Sequence, residues 1–488
     1  MTFQLSTLPT ECLHEILRHF ENNISTLHSC LLVNRLWCRI SVRILWRNVW
    51  NYKDNIIIRE HLLKVSTSIL ITLISCLPND SKEILYKNEI SILTPTLRRS
   101  PLFNYAEFCK VLSIDSLFGM VQKILKNECS VLMDEFIKMF VNQISSLEKL
   151  TYNCRYNTKF SFTYFPGARD LSKLCCRSNL PFNFFWQLSK ICHNIQSISI
   201  DVRTEILDEL NELISSQNNL RNLTLIVFGV SLEKIIPSLA KNSNTITKLC
   251  LYSENNASHL SFISLLTNLQ EIFISIFDDG YIDDFKKLQY VNFSKLKKLK
   301  IPYHCPNPKY LNKFLEINGK NLENFYSGGN DKNFGLSIAN FCPNIKNLFV
   351  LFYDDEINLL RNILISCQYL ESIKIHCGKR FLSEREILGI IVNYSQNNFY
   401  ELKLYNDSYP NPITVTPQYL ESIFINWKNR ESKKLLNLVI IEKYEGYNGL
   451  INEANMMIIK KYENLGIIKF VVRNYEEESI EEKEEYLF

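Results

Sequence analysis

Residues 217–227 read Gln-Asn-Asn-Leu-Arg-Asn-Leu-Thr-Leu-Ile-Val, and the apolar spacing within them decides the fold. Leu220 is followed by Leu223 and then Leu225. In a strand alternate side chains share a face, so Leu223 and Leu225 point one way and Thr224 the other. The same spacing recurs from Leu147, Leu171, Ile195, Leu220, Ile246, Leu269, Leu296, Leu322, Ile345, Leu370, Phe399, Leu435 and Leu465. One such unit cannot bury its apolar face alone, whereas stacked copies share a continuous core. The intervening segments, for example 231–241 and 356–366, fit helices packed behind the strands.

Successive copies begin 23 to 36 residues apart, which resembles the leucine-rich repeat. Cys192, Cys342 and Cys367 each stand three residues before a copy, as in the cysteine-containing class of that family, a class often joined to F-boxes. The Asn or Cys usual after the strand is mostly missing. The resemblance implies an α/β solenoid over 146–475, with parallel strands on its concave face and helices on its convex face.

In such a solenoid the residue between the two core-facing positions points onto the binding face. The row runs Ser199, Thr224, Cys250, Phe273, Lys300, Tyr326, Phe349, Lys374, Lys403, Val439 and Lys469, with Tyr252, His376 and Tyr405 one position further along. Tyr252, Phe273, Lys300, Tyr326, Phe349, Lys374, Lys403 and Tyr405 are therefore the candidate contacts to a target protein. Large aromatics facing solvent are costly unless covered. Either a partner covers them, or a loop or the carboxyl-terminal tail does. A partner strip predicts that Phe349→Ala with Tyr326→Ala leaves folding intact and abolishes capture. The lysines favour an acidic or phosphorylated segment.

At the amino terminus, 5–50 read as three short helices. Pro9 suits a first helical turn. Leu13, Ile16, Leu17 and Phe20 follow on one face, then Leu27, Cys30, Leu31 and Leu32 after an Asn22-Asn23 break, then Val33, Leu36, Trp37, Ile40 and Ile44. A module this small cannot bury so much apolar surface by itself. The pattern leaves open whether the excess meets a partner or the rest of the chain.

Leu8-Pro9-Thr10-Glu11-Cys12-Leu13, Ile16-Leu17, Val33-Asn34-Arg35-Leu36-Trp37 and Leu45-Trp46 together resemble the F-box. Cys12 and Asn34 depart from its usual residues. The resemblance implies docking into the Skp adaptor, and through it a cullin ubiquitin ligase, by Leu8, Pro9, Leu13, Ile16, Leu17, Leu27, Val33 and Trp37. The chain would then be the ligase's substrate receptor, working in the cytoplasm, the nucleus or both. The other reading is a non-catalytic repeat scaffold that engages no ligase.

Residues 51–145, poor in Gly, Ser and Pro, read as a helical connector, with helices over 56–77, 105–112, 116–126 and 130–141. The last thirteen residues, 476–488, hold seven Glu and one Lys and read as an acidic tail or cap. The whole-chain charge of +4 over 488 residues singles out no polyanionic partner. The fifteen cysteines are scattered and lack the paired spacing of a zinc site. The longest apolar run, 68–77, is half the length of a membrane span. No Gly-rich phosphate loop occurs, and Gly328-Gly329, Asp278-Asp279 and Asp354-Asp355 follow strands as turns. The expectation is no catalysis, no metal, no cofactor, no membrane and no nucleic acid, the local lysine cluster 286–300 having no accompanying motif.

Overall fold

The structure, a computed structural model, describes residues 8–50, 59–88, 90, 101–125, 129–153, 165–180, 182–254, 260–277, 282–302, 306–328, 334–378, 380–406, 415–432, 434–442 and 449–475. The 476–488 tail and the turns expected at Asp278-Asp279 and Gly329 lie outside these residues. Asp354 and Asp355 are exposed in a turn. The chain forms two compact units, 1–220 and 221–488.

The first unit opens with α1 (Thr10–Arg18), α2 (Ile24–Leu31) and α3 (Arg35–Arg47). Asn23 and Asn34 cap the second and third helices, accepting from the N–H of Thr26 at 3.0 Å and of Trp37 at 2.9 Å. Asn34 thus has a local role at a position where it departs from the resembled motif. Then come α4 (Arg59–Cys76), α5 (Asn79–Lys87), β1 (Val111–Ser113), α6 (Ile114–Leu125), α7 (Cys129–Gln143) and β2 (Lys149–Tyr152). β3 (Lys173–Arg177), α8 (Phe182–Ile191), β4 (Ser197–Val202) and α9 (Asp208–Ser215) complete the unit.

Strands β1 to β4 pair parallel in chain order, with Leu112, Leu150, Leu174 and Ile198 in one row. The helix expected over 105–112 is instead a 3-10 turn at Tyr105–Phe108 followed by β1. Val111 and Leu112 pair with Lys149 and Leu150, a partner some forty residues away that local periodicity cannot register. The strand array therefore begins inside the expected connector. The end of α3 is fastened to the same place. Trp50 Nε1 donates to the Val111 carbonyl at 2.7 Å, Trp46 packs on Tyr105 at 4.7 Å, and Arg47 pairs with Glu148 at 2.6 Å.

The second unit alternates ten strands with helices or 3-10 turns. Its strands are β5 (Asn222–Val227), β6 (Lys248–Ser253), β7 (Glu271–Ile276), β8 (Lys298–Ile301), β9 (Asn324–Ser327), β10 (Asn347–Phe349), β11 (Ser372–Cys377), β12 (Glu401–Asn406), β13 (Leu436–Glu442) and β14 (Ile468–Asn474). Between them lie α10 (Ile236–Lys241), α11 (Pro308–Asn318), α12 (Phe334–Phe341), α13 (Ile357–Ser366), α14 (Glu384–Tyr394), α15 (Pro417–Lys428) and α16 (Glu453–Asn464). All ten strands pair parallel with their sequence neighbours. Leu223, Leu249, Ile272, Leu299, Phe325, Leu348, Ile373, Leu402 and Leu438 stand in one buried row, as the repeat spacing requires.

The fold is α/β, a parallel leucine-rich-repeat array preceded by helices. Its last repeat is shifted by two residues. Ile468 pairs with Leu436 and Phe470 with Leu438, so Val471 rather than Lys469 continues the variable row. Leu435 and Leu465, the expected first core positions of the last two copies, are exposed.

Candidate interaction surfaces

In the three-helix module one stripe from each helix builds a private core. Leu13, Leu17, Leu27, Cys30, Ile40 and Ile44 are buried together, with Trp37 and Leu45 half-buried against them. This corrects the expectation for Leu13, Leu17 and Leu27. They fill the module's own interior and offer nothing to a partner. Of the other expected contacts, Leu8 is half-buried and Pro9, Ile16 and Val33 are exposed. Leu32, not among the expected contacts, is 80% exposed, beside Val33 at 58% and Leu36 at 38%. These three large apolar side chains fall within five positions at the turn from α2 into α3. The sequence signal for Leu32 was an apolar run, Leu31-Leu32-Val33, longer than one helical face can bury.

In the repeat array the expected row exists in register. Cys250, Phe273, Lys300, Tyr326, Phe349, Lys374, Lys403 and Val439 stand side by side on successive strands. Its chemistry differs from the expectation, because the row covers itself. Phe273 and Phe349 are buried, and Tyr326 stacks on Phe349 with ring centroids 4.1 Å apart. The Lys300 ammonium lies 4.8 Å from the Tyr326 ring centre and 6.0 Å from that of Phe273, and Lys300 is itself buried. Lys374 sits 5.5 Å above Phe349, and Lys403 lies 3.8 Å from Glu401. A cation over a ring face is attracted by the ring quadrupole, and the attraction grows as both lose water.

The parallel line of side chains is closed in the same manner. Tyr252 packs on Phe273 at 4.9 Å, and Tyr405 is buried between His376 at 4.0 Å and Tyr475 at 5.3 Å. Loop residues complete the cover, with Phe381 edge-on to His376 at 5.6 Å and Tyr353 beside Phe381 at 5.7 Å. Phe273, Lys300, Phe349 and Tyr405 are thus corrected from exposed contacts to buried parts of the array. Phe349→Ala with Tyr326→Ala would damage folding, contrary to the expectation. Tyr252, Tyr326, Lys374 and Lys403 remain half-buried.

Two classes of residue join neighbouring repeats without having been read from the sequence. Buried amides clamp the array from within. Gln217 Nε2 donates to the Cys192 carbonyl at 2.8 Å while its Oε1 accepts from Ile195 N–H at 2.9 Å. Asn318 repeats the arrangement on Val291 at 2.9 Å and Phe293 at 2.7 Å. Asparagines also run along the edge where the strands begin. Asn268 and Asn344 each donate to a carbonyl of the preceding repeat at 2.8 Å, on Asn244 and Lys320, and Asn321 donates to Ser294 at 3.3 Å. Thiols join in from the cysteine positions. Cys367 Sγ donates to the Cys342 carbonyl at 3.4 Å, and Cys192 Sγ to that of Ala168 at 3.0 Å.

Among the described residues no three His, Cys, Asp or Glu converge as a metal site, and no helix is long and apolar enough to cross a membrane. No family model matches the chain, and no curated protein matches it. Among solved structures the chain is similar to the leucine-rich repeat-containing protein LegL7 from Legionella pneumophila. The two share 12% identity over 62% of this chain and 90% of that one, with a TM-score of 0.33.

Proposed function

We propose that this chain is a non-catalytic adaptor whose amino-terminal module docks into a Skp-type adaptor of a cullin ubiquitin ligase and whose repeats hold a target protein. The observation that carries the reading is the apolar group left at the turn from α2 into α3. Leu32, Val33 and Leu36 stay in water after the module's core is complete. An exposed cluster of large apolar side chains marks an interaction site. It coincides with the part of the sequence, Val33 to Trp37, that resembles the adaptor-facing stretch of the F-box. In this reading the chemistry belongs to the ligase, in the cytoplasm or the nucleus. This chain contributes proximity, raising the effective concentration of the target's lysines near activated ubiquitin.

The test is co-purification of the full chain with a Skp adaptor. Wild type should retain it, and Leu32→Asp with Val33→Asp should release it while leaving the thermal unfolding midpoint unchanged. A wild-type chain that runs as a single species and ignores the adaptor would leave a repeat scaffold with no link to a ligase.

A further inference from the structure

Strands β8, β9, β10 and β11 begin side by side along one edge of the sheet. A cleft of about 370 Å³ opens there, lined by Lys295, Lys297, Lys320, Glu323, Lys346 and Tyr369 among others. Its charges are unequal. Lys297 and Lys346 share Glu323, at 2.9 Å and 2.8 Å, and their hydrogen bonds hold its carboxyl below the usual carboxylate range. Glu371 is a further carboxylate within electrostatic reach of Lys346.

Among the described residues the remaining two lysines pair with no carboxylate. Lys295 donates to the neutral amide of Asn268 at 2.7 Å. Lys320 is exposed and makes no ion pair or side-chain hydrogen bond among the described residues. Its backbone carbonyl is fixed by Asn344, which anchors the loop that carries it. Tyr369, just over half exposed, lines the same cleft.

We infer that this cleft binds a phosphorylated segment of another protein. A phosphate monoester carries about −1.5 to −2 charges and three acceptor oxygens near neutral pH, which matches two ammonium groups without a counter-ion. A single carboxylate would balance only one. Lysine holds phosphate as a mobile point charge, and among the cleft's cations there is no arginine fork to favour a planar carboxylate. The cleft spans four consecutive repeats, shorter than the charged track a nucleic acid follows, and the whole chain carries only +4. The inference names the class of target for the adaptor and takes its purpose from that reading. Its test needs no ligase component.

Fluorescence anisotropy with the purified full chain supplies that test, using a labelled peptide with one phosphoserine flanked by acidic residues, its unphosphorylated twin and a labelled single-stranded RNA. The phosphopeptide should bind best. Lys320→Gln and Lys295→Gln should each weaken it about tenfold, the loss expected for one charge-assisted contact. Lys313→Gln, on α11 and paired with Glu316, should leave binding unchanged. Absence of phosphopeptide binding, equal binding of the twin, or indifference to both cleft substitutions would overturn the inference. Tighter binding of the RNA would assign the cleft to nucleic acid instead.

Discussion

Asn318 shows how a single buried amide decides local stability. It has no solvent exposure, and its carboxamide satisfies the Phe293 N–H and the carbonyls of Val291 and Phe314 at 2.7, 2.9 and 3.1 Å. Truncation takes that partner from the Phe293 N–H and the Val291 carbonyl, and an orphaned buried polar group costs about 1–3 kcal/mol. Asn318→Ala should therefore lose about 2–3 kcal/mol in a urea titration. Asn321→Ala, at the open edge, should lose under about 1 kcal/mol because water replaces its one long bond. Equal losses would show that the amide is not the clamp. Such residues were illegible in the sequence for a physical reason. An Asn or Gln inside a helix or at its end reads as polar surface until a backbone carbonyl 25 to 27 residues away is known to face it.

At the scale of elements, period-two spacing carried most of the information. Within each unit the expected copies lie in register, the last one excepted, because a one-residue slip would turn every Leu and Ile out of the core. The last copy departs because a shift of two residues keeps every side chain on its own face, so period-two spacing in the seven-residue strands β13 and β14 fits both registers alike. β1 was missed because three residues are too few to show a period. From Thr224 to Val439 the variable row stands on its strands as the spacing predicts, but its exposure differs, since stacking between neighbouring strands is invisible until they are side by side. Phe349 now belongs with the core. It is 5% exposed, stacked on Tyr326 and covered by Lys374. Phe349→Ala should cost about 3–5 kcal/mol, the range for an aromatic deleted from a packed interior. Lys403→Ala, on the next row position but one and half-buried beside Glu401, should cost under about 1 kcal/mol. A Phe349→Ala variant as stable as wild type would return the row to the solvent-facing reading.

For the whole molecule, the cysteines report on how the repeats hold together. Among the described residues Cys30, Cys109, Cys176 and Cys192 are buried in the first unit, and Cys250, Cys342, Cys367 and Cys377 in the second, whereas Cys12 is exposed. Burial pushes the Cys109, Cys192 and Cys367 thiols up to about 12, far from the pH at which thiolates attack an alkylating reagent. The unfolded chain would release these protons near the ordinary thiol value of about 8.5. Between that pH and 12 the folded state therefore binds more protons than the unfolded one. The stability they lend is complete below about 8.5 and is lost as pH rises through that window. A repeat array is stabilised by nearest-neighbour contacts, so thiols on adjacent repeats should lose protection together. A brief iodoacetamide pulse at pH 8, read by mass spectrometry, should label Cys12 and spare these eight buried thiols. In rising urea, Cys342, Cys367 and Cys377 should become reactive at one midpoint, and at pH 10 that midpoint should fall. Replacing Cys367 with Ala should shrink the fall, since one of the protons driving it is gone. Labelling of Cys342 or Cys367 at the rate of Cys12 in the absence of urea would mean that these repeats open independently and that the thiols are not part of a shared core.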